Sequence, residues 1–141
     1  MKLLLLLTPK NQTFYLSKDS TIRQALEKMD IRKFTVIPLI DEDGKYISTI
    51  SEGDILRYIK NNSNFNIKEA ENIKVSEIES YRPYKALNSN ADVQDVIEMS
   101  LNQNFIPMID DRGMYIGIVK RKDVIAHLYG EFQKVKKTNE K

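Results

Sequence analysis

The chain has no cysteine among its 141 residues, which excludes a disulfide framework, a thiolate zinc site and a cysteine nucleophile in one step. It has a single histidine, so a Ser-His-Asp triad must use His127, which lies late in an apolar-faced segment between Ala126 and Leu128 and suits catalysis poorly. No stretch approaches the roughly 20 apolar residues of a membrane span. No glycine-rich phosphate loop of the Walker or Rossmann type is present. Charge of one sign is lacking too: 22 Lys+Arg against 20 Asp+Glu leave +2, which steers only weakly toward nucleic acid or an anionic membrane. Together these absences make an enzyme the least favoured class. They predict a soluble, cytoplasmic protein with no catalytic residues, no metal site and no required cofactor.

What is present is a core. At 41% hydrophobic residues the chain can fold without staples, and two half-size units would share one body. The run Leu3 to Leu7 after Met1-Lys2 falls short of the apolar region of about 7 to 15 residues in a signal peptide. Thr8-Pro9-Lys10 ends it, so it reads as a buried N-terminal element.

The chain says nearly the same thing twice. Ile37-Pro38-Leu39-Ile40-Asp41-Glu42-Asp43-Gly44-Lys45-Tyr46-Ile47 returns as Ile106-Pro107-Met108-Ile109-Asp110-Asp111-Arg112-Gly113-Met114-Tyr115-Ile116. An offset of 69 maps Pro38, Asp41, Gly44, Tyr46 and Asp54 onto identical residues, the signature of one structural unit used twice. Ile22, Ala25, Leu26 and Met29 follow a helical period behind the capping box Thr21 to Gln24. Their counterparts Val93, Val96, Ile97 and Ser100, with Asp92 at the cap, lie at an offset of 71. That offset also pairs Tyr15-Leu16 with Ala86-Leu87, and Leu4 and Leu7 with Val75 and Ile78.

Two apolar runs joined by Asp41-Glu42-Asp43-Gly44 predict a hairpin whose glycine takes a positive φ, and Asp110-Asp111-Arg112-Gly113 predicts its copy. The acidic residues there follow turn chemistry. A second helix begins near Ile55 and again near Val124, so each unit reads as strand, helix, strand, strand, helix. The boundaries are 1–62 for the first repeat, 63–73 for a polar linker, 74–130 for the second and 131–141 for a frayed basic tail.

A repeated βαββα unit with a hydrophobic-Pro strand, an Asp-x-x-Gly hairpin and a Ser/Thr-x-x-Asp-like turn into a helix resembles the cystathionine beta-synthase (CBS) domain. Two in tandem resemble a stand-alone CBS pair, or Bateman module, over residues 4 to 130. The resemblance implies an α/β (α+β) fold whose lobes pack about a pseudo-twofold axis and leave two clefts for adenosine-containing ligands. It also implies a homodimer that acts on a client protein. The implied effectors are AMP, ADP, ATP, S-adenosylmethionine or cyclic di-AMP.

The family pattern places ligand at Tyr15, Leu16, Ser17, Thr35, Ile37, Pro38, Ser51 and Asp54 in repeat 1. In repeat 2 it places ligand at Lys85, Ala86, Leu87, Phe105, Ile106, Pro107, Lys120, Arg121 and Asp123. Asp54 and Asp123 would accept hydrogen bonds from ribose hydroxyls. Ser51-x-x-Asp54 is equally a capping box worth about 1 kcal/mol with no ligand. Repeat 2 has Lys120-Arg121-Lys122-Asp123 there, and lysine cannot be the cap acceptor. Three cations at a helix start are disfavoured by the helix dipole unless an anion joins them, although a solvated charge run is also open.

Pro38 and Pro107 cannot donate to a sheet ladder, so an adenine edge could pair beside them, with Ile37, Thr35, Phe105 and Ile106 flanking the base; ordinary strand-end prolines would look the same. Ser48 stands where repeat 2 keeps Gly117 and would narrow the first cleft. A ligand-free interaction module remains a second class. A nucleic-acid binder using Arg82, the tail and Lys120 to Lys122 is a third and less favoured one.

Overall fold

Capping chemistry starts the helices where the sequence places it. In this computed structural model, which describes residues 3–62 and 64–139, Thr21 accepts the N–H of Gln24 while the Gln24 side chain accepts the N–H of Thr21, opening α1 (Ile22–Arg32). Ser51 and Asp54 form the same reciprocal box at α2 (Glu52–Asn61). Asp92 holds the cap position of α3 (Val93–Ser100) without a side-chain bond. The last helix, α4, runs Arg121–Asn139.

Strands alternate with them: β1 (Leu7–Pro9), β2 (Leu16–Ser17), β3 (Val36–Ile40), β4 (Tyr46–Ser51), β5 (Leu87–Asn88), β6 (Phe105–Ile109) and β7 (Tyr115–Lys120). β3 and β4 form one antiparallel hairpin and β6 and β7 the other, with Gly44 at φ 89° and Gly113 at φ 80° as turn chemistry requires. Asp41 accepts the N–H groups of Asp43 and Lys45, and Asp110 those of Arg112 and Met114, so these carboxylates serve the turns. Both hairpins slip register one residue past the proline, at Leu39/Ile40 and Met108/Ile109.

One sheet has the order β2-β3-β4 and the other β1-β7-β6-β5. β1 belongs to the sheet of the second repeat, pairing Leu7 with Val119 and Pro9 with Gly117. In return Ala70, Val75 and Ile78, from the linker and the start of repeat 2, complete the core around Ile22, Met29 and Ile55. Each packing lobe therefore borrows the segment preceding the other repeat, and the boundaries 1–62, 63–73 and 74–130 cross in space. Leu3 is buried among Val96, Ile106 and Val124, whereas Leu4 and Leu5 are exposed, so only part of the leucine run is the buried element the sequence suggests.

The two hairpin turns meet on the pseudo-twofold axis. Tyr46 N–H donates to the Gly113 carbonyl and Tyr115 N–H to that of Gly44, a reciprocal pair about 3 Å long. After Gly130 the expected frayed tail is instead a continuation of α4 through Asn139, because Gly130 takes a helical conformation and the following residues are good helix formers. Met1, Lys2, the linker residue Ser63 and the tail residues Glu140 and Lys141 lie outside the described residues.

Candidate functional site

Two inter-lobe clefts flank the axis, and they differ in what their helix-start aspartate does. In the first, Asp54 is 3% exposed and its carboxylate accepts the N–H of Ser51 at 2.9 Å, the N–H of Tyr81 at 3.0 Å and the Arg57 guanidinium at 2.8 Å. Burial works to raise its pKa, but the Tyr81 and Ser51 bonds and the Arg57 charge outweigh it and hold the carboxyl below its ordinary value. Arg57 also lies over the Tyr81 ring at 4.6 Å.

The segment Ser80 to Tyr84 is sewn into this cleft. The Ser80 hydroxyl donates to the Thr49 carbonyl at 2.7 Å and the Tyr84 N–H to the Thr49 hydroxyl at 2.9 Å. Tyr46 donates its hydroxyl to the Tyr84 carbonyl. What remains is an indentation of about 400 Å³ lined by Ser51, Asp54, Arg57, Tyr81, Arg82 and Tyr84.

The second cleft is larger, about 570 Å³, and draws its lining from both repeats. Phe14, Phe34 and Phe105 supply aromatic faces, with Phe14 and Phe34 packed at 5.4 Å. Val36, Pro38 and Ile118 supply the apolar floor, and Gln12, Thr13, Thr35 and Asn104 the neutral polar groups. Its charged lining is Arg32, Lys33, Lys120 and Lys122, with no carboxylate. Arg32 stacks on Phe14 at 4.4 Å and Lys33 pairs with Asp30 at 3.3 Å on the exposed rim. Asp123, expected at this site, does not line the cavity: it stands half-buried on the first turn of α4, and the side-chain hydrogen bonds and ion pairs among the described residues leave its carboxylate unengaged.

The site residues expected from sequence thus divide. Thr35, Pro38, Phe105 and Lys120 come together in the second cleft although two were assigned to each repeat, because this cleft takes hairpin strands from both lobes. Ser51 and Asp54 face the first, where capping and the Tyr81 contact account for them. Ile37 and Ile106 do not flank a base: strand alternation turns them into the two lobe cores, where both are fully buried. Leu16 is a core residue of one lobe and Leu87 packs half-buried against the core of the other, and Pro107 is buried without lining either cleft.

Ser17 accepts the N–H of Asp19 in a local turn. Tyr15 packs on Tyr115 at 5.7 Å and gives its carbonyl to Lys28. The backbone of Lys85 is held by the Gln103 side chain, and Ala86 lines neither cleft. The residues that do line the clefts lie one to two positions earlier, Thr13-Phe14 and Tyr84, and they pair at the 71-residue offset.

Arg121 is corrected most clearly. Its Nε donates to the Ser100 carbonyl at 2.7 Å and its Nη1 to the Asn104 carboxamide at 2.8 Å, so it ties α4 to the end of α3. Lys122, part of the charge run but outside the expected site, lines the cleft in its place. The hydroxyls framing the axis stay protonated: burial pushes Tyr115 up to about 12 and Tyr46 well above its usual value. Tyr115 donates to Thr13, mirroring the bond from Tyr46 to Tyr84.

Known proteins share this architecture. The structure of CbpB in complex with cyclic di-AMP matches with TM-score 0.86 at 19% identity, over 98% of this chain and 91% of that one. The structure of CBSX2 in complex with AMP matches with TM-score 0.69 at 20% identity, over 89% and 93%. A homoserine O-acetyltransferase of Methanohalophilus mahii is 29% identical over 116 residues, 82% of this chain and 22% of the relative. The chain spans less than half the length of the curated relatives it matches. The CBS domain profile matches residues 9–61 and again 75–130, on the two units whose hairpins meet at the pseudo-twofold axis, and the chain belongs to the CBS domain family as a tandem pair.

Proposed function

We propose that the chain is a sensor of an adenine nucleotide, bound once per protomer in the second cleft. One observation carries this: a cavity of nucleotide size whose charged lining is Arg32, Lys33, Lys120 and Lys122 with no carboxylate in it, Lys33 alone meeting Asp30 on the exposed rim. Four cations around one concavity repel each other, and phosphate relieves that repulsion while the α4 N-terminus adds backbone donors. The Phe14, Phe34 and Phe105 faces suit a purine; Asp123, unengaged beside Lys122 on the first turn of α4 but outside the cavity lining, is the carboxylate we assign to the two ribose hydroxyls. That solved relatives of the same fold hold AMP and cyclic di-AMP supports the chemistry without selecting a ligand.

In this proposal the first cleft is structural, and the protein is a binding module rather than an enzyme. It works as a homodimer in the cytoplasm, where ligand binding alters a client protein by favouring one lobe geometry over another. Among the described residues no helix is long and apolar enough to cross a membrane.

Thermal melts with AMP, ADP, ATP, S-adenosylmethionine and cyclic di-AMP test it. A ligand at 100 times its dissociation constant stabilises by about 2.7 kcal/mol, a shift of several degrees for this size. Asp123→Ala should lose that shift. No shift with any of the five would sink the proposal.

A further inference from the structure

The half of α4 beyond the second repeat is largely exposed, and together with the half before it carries an ordered apolar seam. Val124 is buried and holds the first turn of α4 in the core. Ile125, Leu128, Phe132 and Val135 then follow at intervals of 3, 4 and 3 residues, all exposed, with Phe132 at 63% and Val135 at 58%. That spacing is the a and d pattern of a two-stranded coiled coil over two heptads. The equivalent helix of the first repeat shows what is unusual: α2 has Leu56 where α4 has Ile125, but it stops at Asn61 and carries no second heptad.

We propose that a second copy of this chain covers the seam, the two α4 segments running parallel as a short zipper about a twofold axis. The charges flanking the seam select that occupant. With Ile125 and Phe132 at a, Glu131 falls at g and Lys136 at e of the next heptad, the pair that meets across a parallel dimer. Twofold symmetry makes the contact twice, Glu131 of each helix with Lys136 of the other. Within its own helix Glu131 also meets Lys134 at 3.5 Å, an exposed contact it would exchange for Lys136 of the other copy; an anionic membrane, which Lys134, Lys136 and Lys137 would attract, is the outcome the vesicle test decides. The zipper gives the proposed homodimer its surface; it stands or falls separately from nucleotide binding.

The cysteine-free sequence supplies a clean test. In a parallel zipper a d residue faces its own mate, so oxidised Val135→Cys should give a disulfide-linked dimer on a non-reducing gel, and the outward Lys134→Cys should not. By sedimentation, Phe132→Glu should raise the dimer dissociation constant about 30-fold, and Glu131→Lys with Lys136→Glu together should restore what either loses alone. Circular dichroism and the nucleotide melt shift, unchanged in Phe132→Glu, would show that the lobes still fold. A wild type that is monomeric at about 100 µM would overturn the proposal, as would equal cross-linking at 134 and 135. So would wild-type monomer that pellets with phosphatidylserine vesicles.

Discussion

The two clefts begin from the same aspartate and end with opposite uses for it. Asp54 is buried, bonded by Ser51 and Tyr81 and paired with Arg57, so its negative charge is already neutralised by the chain itself. Asp123, 69 residues on, follows Lys120 and Lys122 instead of Ser51 and Gly53, and its carboxylate is left unengaged while the cations line an open cavity. Duplication supplied two sites of one geometry. The three residues before each aspartate differ, and with them the first site closes on its own linker while cations line an open cavity at the second.

The comparison breaks hardest at Asp54. Asp54→Ala removes an N-cap partner, orphans the Tyr81 N–H and leaves the Arg57 charge without its mate. It should cost about 3 kcal/mol in denaturant unfolding while nucleotide affinity changes less than about twofold. Equal loss of affinity would mean the first cleft also binds. The same carboxylate predicts an acid limb. Its folded pKa is lowered, so its contribution is complete above the unfolded value near 3.9 and is lost as pH falls through the folded one. Asp54→Asn should flatten stability against pH below about 4.

Nearly as large is the expected effect of reversing charge in the second cleft. Lys120→Glu with Lys122→Glu should weaken nucleotide binding by about 100-fold, or about 2.7 kcal/mol, by isothermal titration, with the melting midpoint of the free protein little changed because both side chains are exposed. Arg121→Gln makes the contrast: it should destabilise the free protein by losing Ser100 and Asn104, with a smaller effect on affinity. If Arg121 governed affinity and Lys122 did not, the assignment of roles within the charge run would be reversed.

These residues show how far the sequence reached. The repeat, both hairpin glycines, the capping boxes and the βαββα order are local, set by neighbours within a few positions, and all could be read from spacing. Which lobe each segment joins is not local. Leu7 pairs with Val119 across more than a hundred residues, and no periodicity signals that exchange. The expected site failed in the same way. Ile37 and Ile106 have the residue type for a base pocket, but strand alternation aims them into the cores, and Lys122 and Phe14 reach the cavity only because the lobes pack across the axis. The asymmetry at Lys120 to Lys122 was visible, and the commitment of Arg121 to Ser100 was not.

The smallest effects sit at Gly117, a glycine that the first repeat replaces with Ser48. Gly117 has φ 148°, and a Cβ there would lie 2.1 Å from the Thr8 carbonyl oxygen of the paired strand β1. Backbone cannot yield as a flexible side chain can, so Gly117→Ala should push β1 off β7 and cost about 2 kcal/mol. Ser48 faces no such strand. In the first lobe the exchanged segment passes as a 3-10 turn, Val75–Glu77, and Ser48 sits in a separate indentation with Lys18, Val75 and Ser80. The glycine is therefore demanded by the edge strand rather than by a ligand, and the narrowing of the first cleft expected from Ser48 does not occur. Ser48→Gly should change stability by less than about 1 kcal/mol and leave nucleotide binding untouched. A gain of nucleotide binding in the first cleft on that substitution would show that the serine, and not the Asp54 network, keeps it closed.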